Sequence, residues 1–209
     1  MLKVRCVRNK IASENTYFVF NERAILIIDP GSDKDALLKM VKKIGKEPLA
    51  ILLTHTHYDH IMGISALCHA YPKLSVYVSK NEASWLYTPQ MNLSGLFRHQ
   101  DMEDVVIDKA DEFFTEDKEY NLGGITFQAI STSGHSIGGM SFVFNKFLFT
   151  GDALFKGTIG RVDLPTGDLD QLVTNIKQKL FILPDEFNIF PGHGKDTTIG
   201  AEKSNPFLT

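Results

Sequence analysis

The chain has 209 residues, of which 43% are hydrophobic and 22% are charged, a balance typical of a globular protein rather than of a disordered chain. Its formal net charge is -3, and its charges are interspersed, with no basic run that could follow a phosphate backbone. Nucleic acid is therefore not expected as a partner, and the length favours one domain over residues 1–209.

The N-terminus has the pattern of a strand rather than of a signal peptide. Charged residues alternate there with Val4, Cys6 and Val7, and no apolar run approaches the roughly 18 residues of a membrane span. We therefore expect a cytoplasmic protein with no membrane partner. Cys6 and Cys68 have no metal-type spacing and are interpreted as buried free thiols, with a disulfide as the alternative.

The first half of the chain is predicted as an antiparallel meander followed by alternating helices and strands. Ser32 or Asp33 is expected to cap the first helix, which runs to about Ile44 and is closed by Gly45. Apolar periodicity and turn residues set the bounds of the other elements. These are strands at 2–8, 15–20, 24–28, 49–53 and 74–78, and helices at 60–70 and 81–87.

From Thr88 to Asp111 the pattern is polar and irregular. Long irregular segments of compact domains are often binding loops, so residues 88–100 are a candidate wall of a substrate site, and a loop without a role is the alternative. His69 and His99 have no polar companions nearby in the sequence and are not interpreted as metal ligands.

The second half repeats the plan of the first. Its predicted elements are strands at 113–114, 125–130, 140–144, 147–150 and 187–190, and a helix at 168–180. Two such halves predict an α+β fold in which two sheets pack face to face with helices outside, a four-layer sandwich.

A dense polar cluster at residues 55–60 follows the apolar strand 49–53. Alternate residues of an extended segment point the same way, so His55, His57 and Asp59 can converge on one point. A lone histidine is more often a surface or core residue. Several imidazole and carboxylate groups brought together without a cation would lose contact with water and gain no favourable interaction in return. The cluster therefore predicts a metal site.

Three later motifs each place a metal-capable side chain after a glycine at the end of an apolar strand: His135, Asp152 and His193. Glycine lets the backbone approach a site closely. With the first cluster they make five histidines and two aspartates, enough for two cations that share a carboxylate. Two metals roughly 3.5 to 4 Å apart would hold a bridging hydroxide and polarise a carbonyl, which is hydrolytic chemistry. Zinc fits these donors, as do iron and manganese.

The His-x-His-x-Asp-His pattern at positions 55–60, with the three later residues, resembles the metallo-β-lactamase superfamily. The resemblance implies a four-layer αββα fold of two mixed sheets and two divalent metals, and we predict Asp59 and Asp152 as catalytic residues. The implied ligands are His55, His57 and His135 on one metal, Asp59, His60 and His193 on the other, and Asp152 between them.

The segments 151–155, 157–165 and 198–207 resemble short bacterial members of the hydroxyacylglutathione hydrolase (glyoxalase II) group, which implies a thioesterase for a small thioester or ester. Arg161 stands where that group has a glutathione-contacting lysine, so it is predicted to meet a substrate carboxylate. An ion pair of Arg161 with Asp163 or Asp168 is the alternative. Lys195 is the second predicted substrate contact. Gly194 and Lys195 stand where glyoxalase II has Glu and Tyr, and this difference bears on the recognition of glutathione.

Other functions stay open at this point. Persulfide dioxygenases resemble the same subgroup, and a single iron would then be held by His55, His135 and Asp152. A non-catalytic metal-stabilised binding module is a further alternative. A β-lactamase is disfavoured by the missing export signal, and a ribonuclease by the missing basic appendage.

Overall fold

The computed structural model describes residues 1–96, 102–116 and 118–208. Six strands of these residues form the first sheet, in the spatial order β1-β2-β3-β4-β5-β6, with antiparallel pairing from β1 to β3 and parallel pairing from β3 to β6. They are β1 (Lys3–Arg8), β2 (Asn15–Phe20), β3 (Ala24–Ile28), β4 (Glu47–Leu52), β5 (Ser75–Val78) and β6 (Glu112–Phe113).

The second sheet is also mixed, and its spatial order is β14-β13-β10-β9-β8-β7. Only β10 and β13 pair in parallel; the other neighbours are antiparallel. The strands are β7 (Glu119–Leu122), β8 (Ile125–Ser131), β9 (Met140–Phe144), β10 (Phe147–Gly151), β13 (Asn188–Pro191) and β14 (Thr197–Thr198). A small hairpin joins β11 (Leu154–Phe155) to β12 (Thr158–Ile159).

The helices are short. They are α1 (Lys34–Ile44), α2 (Tyr58–Ile61), α3 (Ile64–Ala70), a 3₁₀ helix (Ala83–Tyr87), α4 (Leu169–Asn175), which continues into a π-helical turn (Ile176–Leu180), and α5 (Ile199–Glu202). In the described parts of the chain, none of them has the length and apolar character needed to cross a membrane.

Three apolar clusters separate four layers, which confirms the predicted αββα sandwich. Between the sheets, Leu26 of β3 shares a cluster with Phe142 of β9. Its neighbour Ile27 points to the opposite face, because strand side chains alternate, and lies in a second cluster with residues of α1 and α3. Leu148 of β10 and Leu172 of α4 belong to the third cluster, outside the second sheet.

The helix predicted over residues 60–70 is two helices, which are separated at Gly63. The amide of Gly63 donates to the carbonyl of Pro30 (2.8 Å). A β-carbon at Gly63 would lie 2.5 Å from Leu37 Cδ1 of α1. The chain therefore breaks where it must pass close to α1, a contact between distant segments that local periodicity does not show.

Other predicted elements differ in detail. The helix predicted at 81–87 is a 3₁₀ helix, and the one at 168–180 ends as a π-helical turn. Gly45 closes α1 in the left-handed conformation as predicted, but the side chain of Asp33 makes no capping hydrogen bond. The sequence did not predict β7, β11, β12, β14 and α5, which have two to four residues each and are too short to show a periodic pattern.

Both cysteines are free thiols, as predicted, but the prediction that both are buried is wrong. Cys6 is exposed and Cys68 is partly exposed. Cys6 lies on β1, which is the edge strand of the first sheet and has a neighbouring strand, β2, on one side only.

Candidate metal centre

The polar cluster lies at one edge of the sandwich, where strands of both sheets end. His55 follows β4, whereas His135, Asp152 and His193 follow β8, β10 and β13 of the second sheet. Because β10 and β13 are parallel neighbours, Asp152 and His193 come from adjacent strand ends. His60 belongs to α2, one turn after the extended segment that carries His57.

All seven predicted metal-binding residues are brought together, in two groups joined by Asp152. In each group the candidate ligand atoms lie within 4.8 Å of one another. Three such groups lie among the described residues: the two predicted ones, which are His55, His57 and His135, and Asp59, His60 and His193, and a third, Asp29, His55 and His60, which shares one histidine with each. One carboxylate oxygen of Asp152 lies 3.4 Å from His60 Nε2, and the other lies 3.7 Å from His135 Nε2 and 3.5 Å from His193 Nε2.

Two atoms of the cluster show that the site fits a cation. His55 Nε2 and His57 Nε2 are buried and have no hydrogen-bond partner. Buried polar atoms nearly always have a partner, so unpaired ones need an explanation. An unprotonated imidazole nitrogen is a ligand that divalent transition metals bind.

Electrostatics keeps two histidines in the neutral form that binds metal. Burial and the neighbouring imidazoles hold the pKa of His55 well below its usual value. Burial, with the imidazole of His135 as the next cause, lowers the pKa of His57 to about 3. At neutral pH both rings therefore carry a free electron pair for a cation.

The two aspartates remain charged although they are deeply placed. Burial alone would raise the pKa of Asp152, but His60 and His193 outweigh it and hold that pKa well below the usual range. The pKa of Asp59 is set in the same way: burial raises it, but His60 and His193 lower it by more, so that the pKa lies below its usual value. Both side chains are thus carboxylates at neutral pH, which supply the negative charge that the imidazoles lack.

Asp29, which directly follows β3 and was not predicted as part of the site, hydrogen-bonds groups next to the cluster. Its Oδ1 accepts a hydrogen bond from the backbone amide of Thr54 (2.7 Å), and its Oδ2 lies 3.0 Å from His60 Nδ1. Its backbone has a φ of 48°, unusual for a residue other than glycine. The signal that the sequence did offer is an aspartate at the end of the strand beside β4.

Backbone carbonyls orient two further histidines. His135 Nδ1 lies 2.7 Å from the carbonyl of Arg161, and His193 Nδ1 lies 3.1 Å from the carbonyl of Ala12. A carbonyl only accepts, so Nδ1 carries the proton in each ring and Nε2 is left for the site.

The prediction that glycine permits a close backbone approach is confirmed at Gly192. A β-carbon there would lie 2.4 Å from Asp152 Oδ1 and 2.7 Å from His60 Cε1. Any larger residue at this position would therefore displace the side chains of the cluster.

A family model described as "Metallo-beta-lactamase superfamily" matches residues 11–193. The chain belongs to the metallo-beta-lactamase superfamily. Within the superfamily it is 47% identical to a protein of Streptococcus pyogenes serotype M6 named "Probable metallo-hydrolase", over 100% of this chain and 91% of that protein. It is 33% identical to the hydroxyacylglutathione hydrolase GloC of Haemophilus influenzae, over 90% and 89% of the two chains.

Solved structures share the fold over nearly the whole chain. BLEG-1 B3 metallo-beta-lactamase has a TM-score of 0.93 and 36% identity, with 99% of this chain and 100% of that chain covered. TTHA1623 in a di-iron-bound form has a TM-score of 0.82 and 33% identity, with 98% and 100% covered. ETHE1 from Myxococcus xanthus has a TM-score of 0.80 and 28% identity, with 97% and 82% covered. This member of the superfamily is thus a metallo-hydrolase whose His/Asp cluster serves divalent metal ions and whose substrate is a small molecule.

The two predicted substrate contacts of this metallo-hydrolase lie in different surroundings. The guanidinium of Arg161 forms a bidentate, solvent-exposed pair with Asp163, with Nε–Oδ1 and Nη2–Oδ2 distances of 2.7 and 2.6 Å. Lys195 lines a groove of 510 Å³ with Arg5 and Tyr17, and the described lining of that groove includes none of the seven cluster residues. The role of both side chains in substrate binding stays a prediction.

The segment predicted as an irregular wall has no helix or strand in residues 88–96 and 102–111, and His99 lies outside the described residues. Its described part is built around the buried Asn92. The side-chain amide of Asn92 donates to the carbonyls of Trp85 (3.0 Å) and Val105 (2.8 Å), and the backbone carbonyl of Asn92 accepts from the backbone amide of Tyr58 (2.8 Å). The segment therefore touches the start of α2, next to the metal centre.

Proposed function

We propose that this protein is a dinuclear metal-dependent thioesterase that hydrolyses small hydroxyacylglutathione-like thioesters. The observation that carries the proposal is the division of seven donors into two groups, with Asp152 within 3.4 to 3.7 Å of histidines of both groups. The 33% sequence identity to the hydroxyacylglutathione hydrolase GloC, over 90% of this chain, supports the choice of substrate class.

The residues of the chain have separate tasks in this proposal. His55, His57 and His135 would hold one metal, Asp59, His60 and His193 the other, and Asp152 would contact both. Divalent metals bound there supply Lewis acidity towards the scissile carbonyl and activate water at neutral pH. Zinc is the first expectation, because its usual ligands are imidazole and carboxylate.

The two carboxylates of the cluster have different roles: one orients a water molecule and the other balances positive charge. Asp59, whose pKa is lowered, accepts hydrogen bonds and so orients a water molecule beside the scissile carbonyl. Asp152 lies at the centre of the cluster and balances the positive charge on both sides of it. The leaving group is a thiolate, which needs less help from a general acid than an alkoxide does, because a thiol has a pKa near 8.5.

The test is metal analysis of the purified protein followed by kinetics with S-lactoylglutathione. We expect two metal ions per chain and robust thioester hydrolysis that scales with metal content. One iron per chain, together with oxygen uptake on glutathione persulfide and no thioester hydrolysis, would show a mononuclear dioxygenase instead and would refute the proposal.

Replacement of Arg161 by alanine tests its proposed contact with a substrate carboxylate. We expect KM to rise about tenfold with kcat nearly unchanged, since uniform binding of substrate and transition state would be lost. Steady-state kinetics measures both constants. The matched variant is Asp163→Ala, which removes the partner of the exposed ion pair and leaves the guanidinium in place. Equal effects of both variants on KM would assign Arg161 a structural role.

A further inference from the structure

Glu82 is a fully buried carboxylate that is not one of the seven cluster residues. It lies directly before the 3₁₀ helix, in a segment that contributes no candidate metal ligand. Its Oε2 accepts hydrogen bonds from the backbone amide of Thr56 (2.8 Å) and from Thr56 Oγ1 (3.0 Å). Its Oε1 accepts from the backbone amide of Gly138 (2.7 Å).

These partners belong to the two loops that carry His55, His57 and His135, which are called the three-histidine group below. Thr56 lies between His55 and His57, after a strand of the first sheet, and Gly138 lies three residues beyond His135, after a strand of the second sheet. One carboxylate thus connects the two loops to each other and to a third segment of the chain. The histidines it connects come close at the site, where His57 Nδ1 and His135 Nε2 are 3.0 Å apart.

We propose that Glu82 is a positioning residue that sets the metal affinity of the three-histidine group by fixing both histidine loops in one arrangement. The inference rests on the proposed metal centre but not on the proposed substrate. Side chains that orient metal ligands from outside the coordination sphere contribute strongly to affinity in general, and their loss typically weakens binding 10- to 100-fold.

The partners of Glu82 need an acceptor at each of its two oxygens, because the backbone amides of Thr56 and Gly138 can only donate. All three are donors, and both oxygens of Glu82 are used as acceptors. A glutamine has nearly the same shape, but its NH₂ group would face a donor on one of the loops and leave it unpaired. In a buried place such a mismatch pushes the loops apart, because no water can take the missing hydrogen bond.

Packing leaves the loops little freedom to adapt around Glu82. A β-carbon at Gly138 would lie 2.8 Å from Glu82 Cγ, so the second loop passes directly against this side chain. Trp85, one turn further on, stacks against His57 with ring centroids 6.4 Å apart and an interplanar angle of 20°. The short segment 82–85 therefore contacts His57 directly, through the ring of Trp85, and indirectly, through the hydrogen bonds of Glu82 to Thr56.

The experiment measures metal affinity by competition with a chromophoric chelator, without any substrate. Glu82→Gln is made in two backgrounds, each of which weakens one group. In the His193→Ala background, where the three-histidine group remains complete, we expect the Kd for Zn²⁺ to rise about tenfold or more. In the His57→Ala background, where the other group remains complete, we expect a change of less than about twofold, since Glu82 makes no contact with Asp59, His60 or His193 in the described hydrogen bonds.

Glu202→Gln is the matched control. Glu202 is also buried, and its carboxylate also accepts from three donors, which are Thr197 Oγ1, the amide of Gly157 and Asn205 Nδ2. None of these donors adjoins a cluster residue in the sequence. We expect this variant to lower the melting temperature as Glu82→Gln does, but to leave the Kd for Zn²⁺ unchanged in both backgrounds.

A lower melting temperature with an unchanged Kd for Glu82→Gln would show a merely structural residue and overturn the proposal, as would equal weakening of both groups. If Glu82→Gln does not fold, Thr56→Val decides, because it removes a single donor to Glu82. Its Kd in the His193→Ala background should then rise about threefold, and an unchanged Kd would overturn the proposal. Failure of thioester hydrolysis leaves these affinities, and therefore this inference, untouched.

Discussion

Replacement of Asp152 by alanine is expected to lower kcat/KM for S-lactoylglutathione by about a thousandfold or more. Among the described residues, Asp152 lies within 3.4 to 3.7 Å of histidines of both groups of predicted ligands. Its loss removes a contact for both metals and leaves neighbouring imidazoles without the anion that balances them. Steady-state kinetics at saturating zinc, with metal content measured in parallel, checks the result.

The control for this variant is Asp185→Ala, which removes an exposed aspartate that pairs with Lys203. We expect it to keep full activity, since exposed ion pairs contribute roughly 0–1 kcal/mol. His55→Ala and Asp59→Ala should resemble Asp152→Ala, each with the fold retained by circular dichroism. A metal-loaded Asp152→Ala protein that keeps more than about a tenth of the activity would contradict the proposed centre.

The parts of the site that were predictable are those coded locally. Residues 55–60 form a cluster within one segment, and the pattern of strand, glycine and polar residue recurred at His135, Asp152 and His193. The repetition of strands and helices in two halves likewise predicted two sheets, and the continuous apolar run of β3 agrees with a strand whose two faces pack against different layers. Local pattern therefore sufficed for the fold class and for the set of side chains that meet at the centre.

The supporting residues were not predictable, because their partners are distant in the sequence. Asp29 bonds the amide of Thr54, 25 positions away, and Glu82 bonds Thr56 and Gly138, 26 and 56 positions away. Each is an ordinary acidic residue in its local context, and only the fold places it in a buried site. The carbonyl of Arg161 that orients His135 is even less visible, because every residue has a carbonyl.

Removal of the metals with a chelator is expected to abolish hydrolysis and to lower the melting temperature by on the order of 10 °C. A ligand that binds only the folded state at about 1,000 times its Kd stabilises that state by about 4 kcal/mol. For a chain of this size, 1 kcal/mol corresponds to roughly 2–4 °C. Calorimetry of the metal-loaded and chelated protein measures the shift, and added zinc should reverse it.

The reason for so large a shift lies in the atoms that the folded chain leaves unpaired. His55 Nε2 and His57 Nε2 are buried without a hydrogen-bond partner, and in the absence of metal each lowers the stability of the folded state. The unfolded chain exposes both atoms to water and does not hold the seven candidate ligands together. The metals therefore bind and stabilise only the folded state. Asp152→Ala separates this effect from nonspecific action of the chelator: its melting temperature should respond much less to chelation, and an equal response in both proteins would place the stabilising metal outside the cluster.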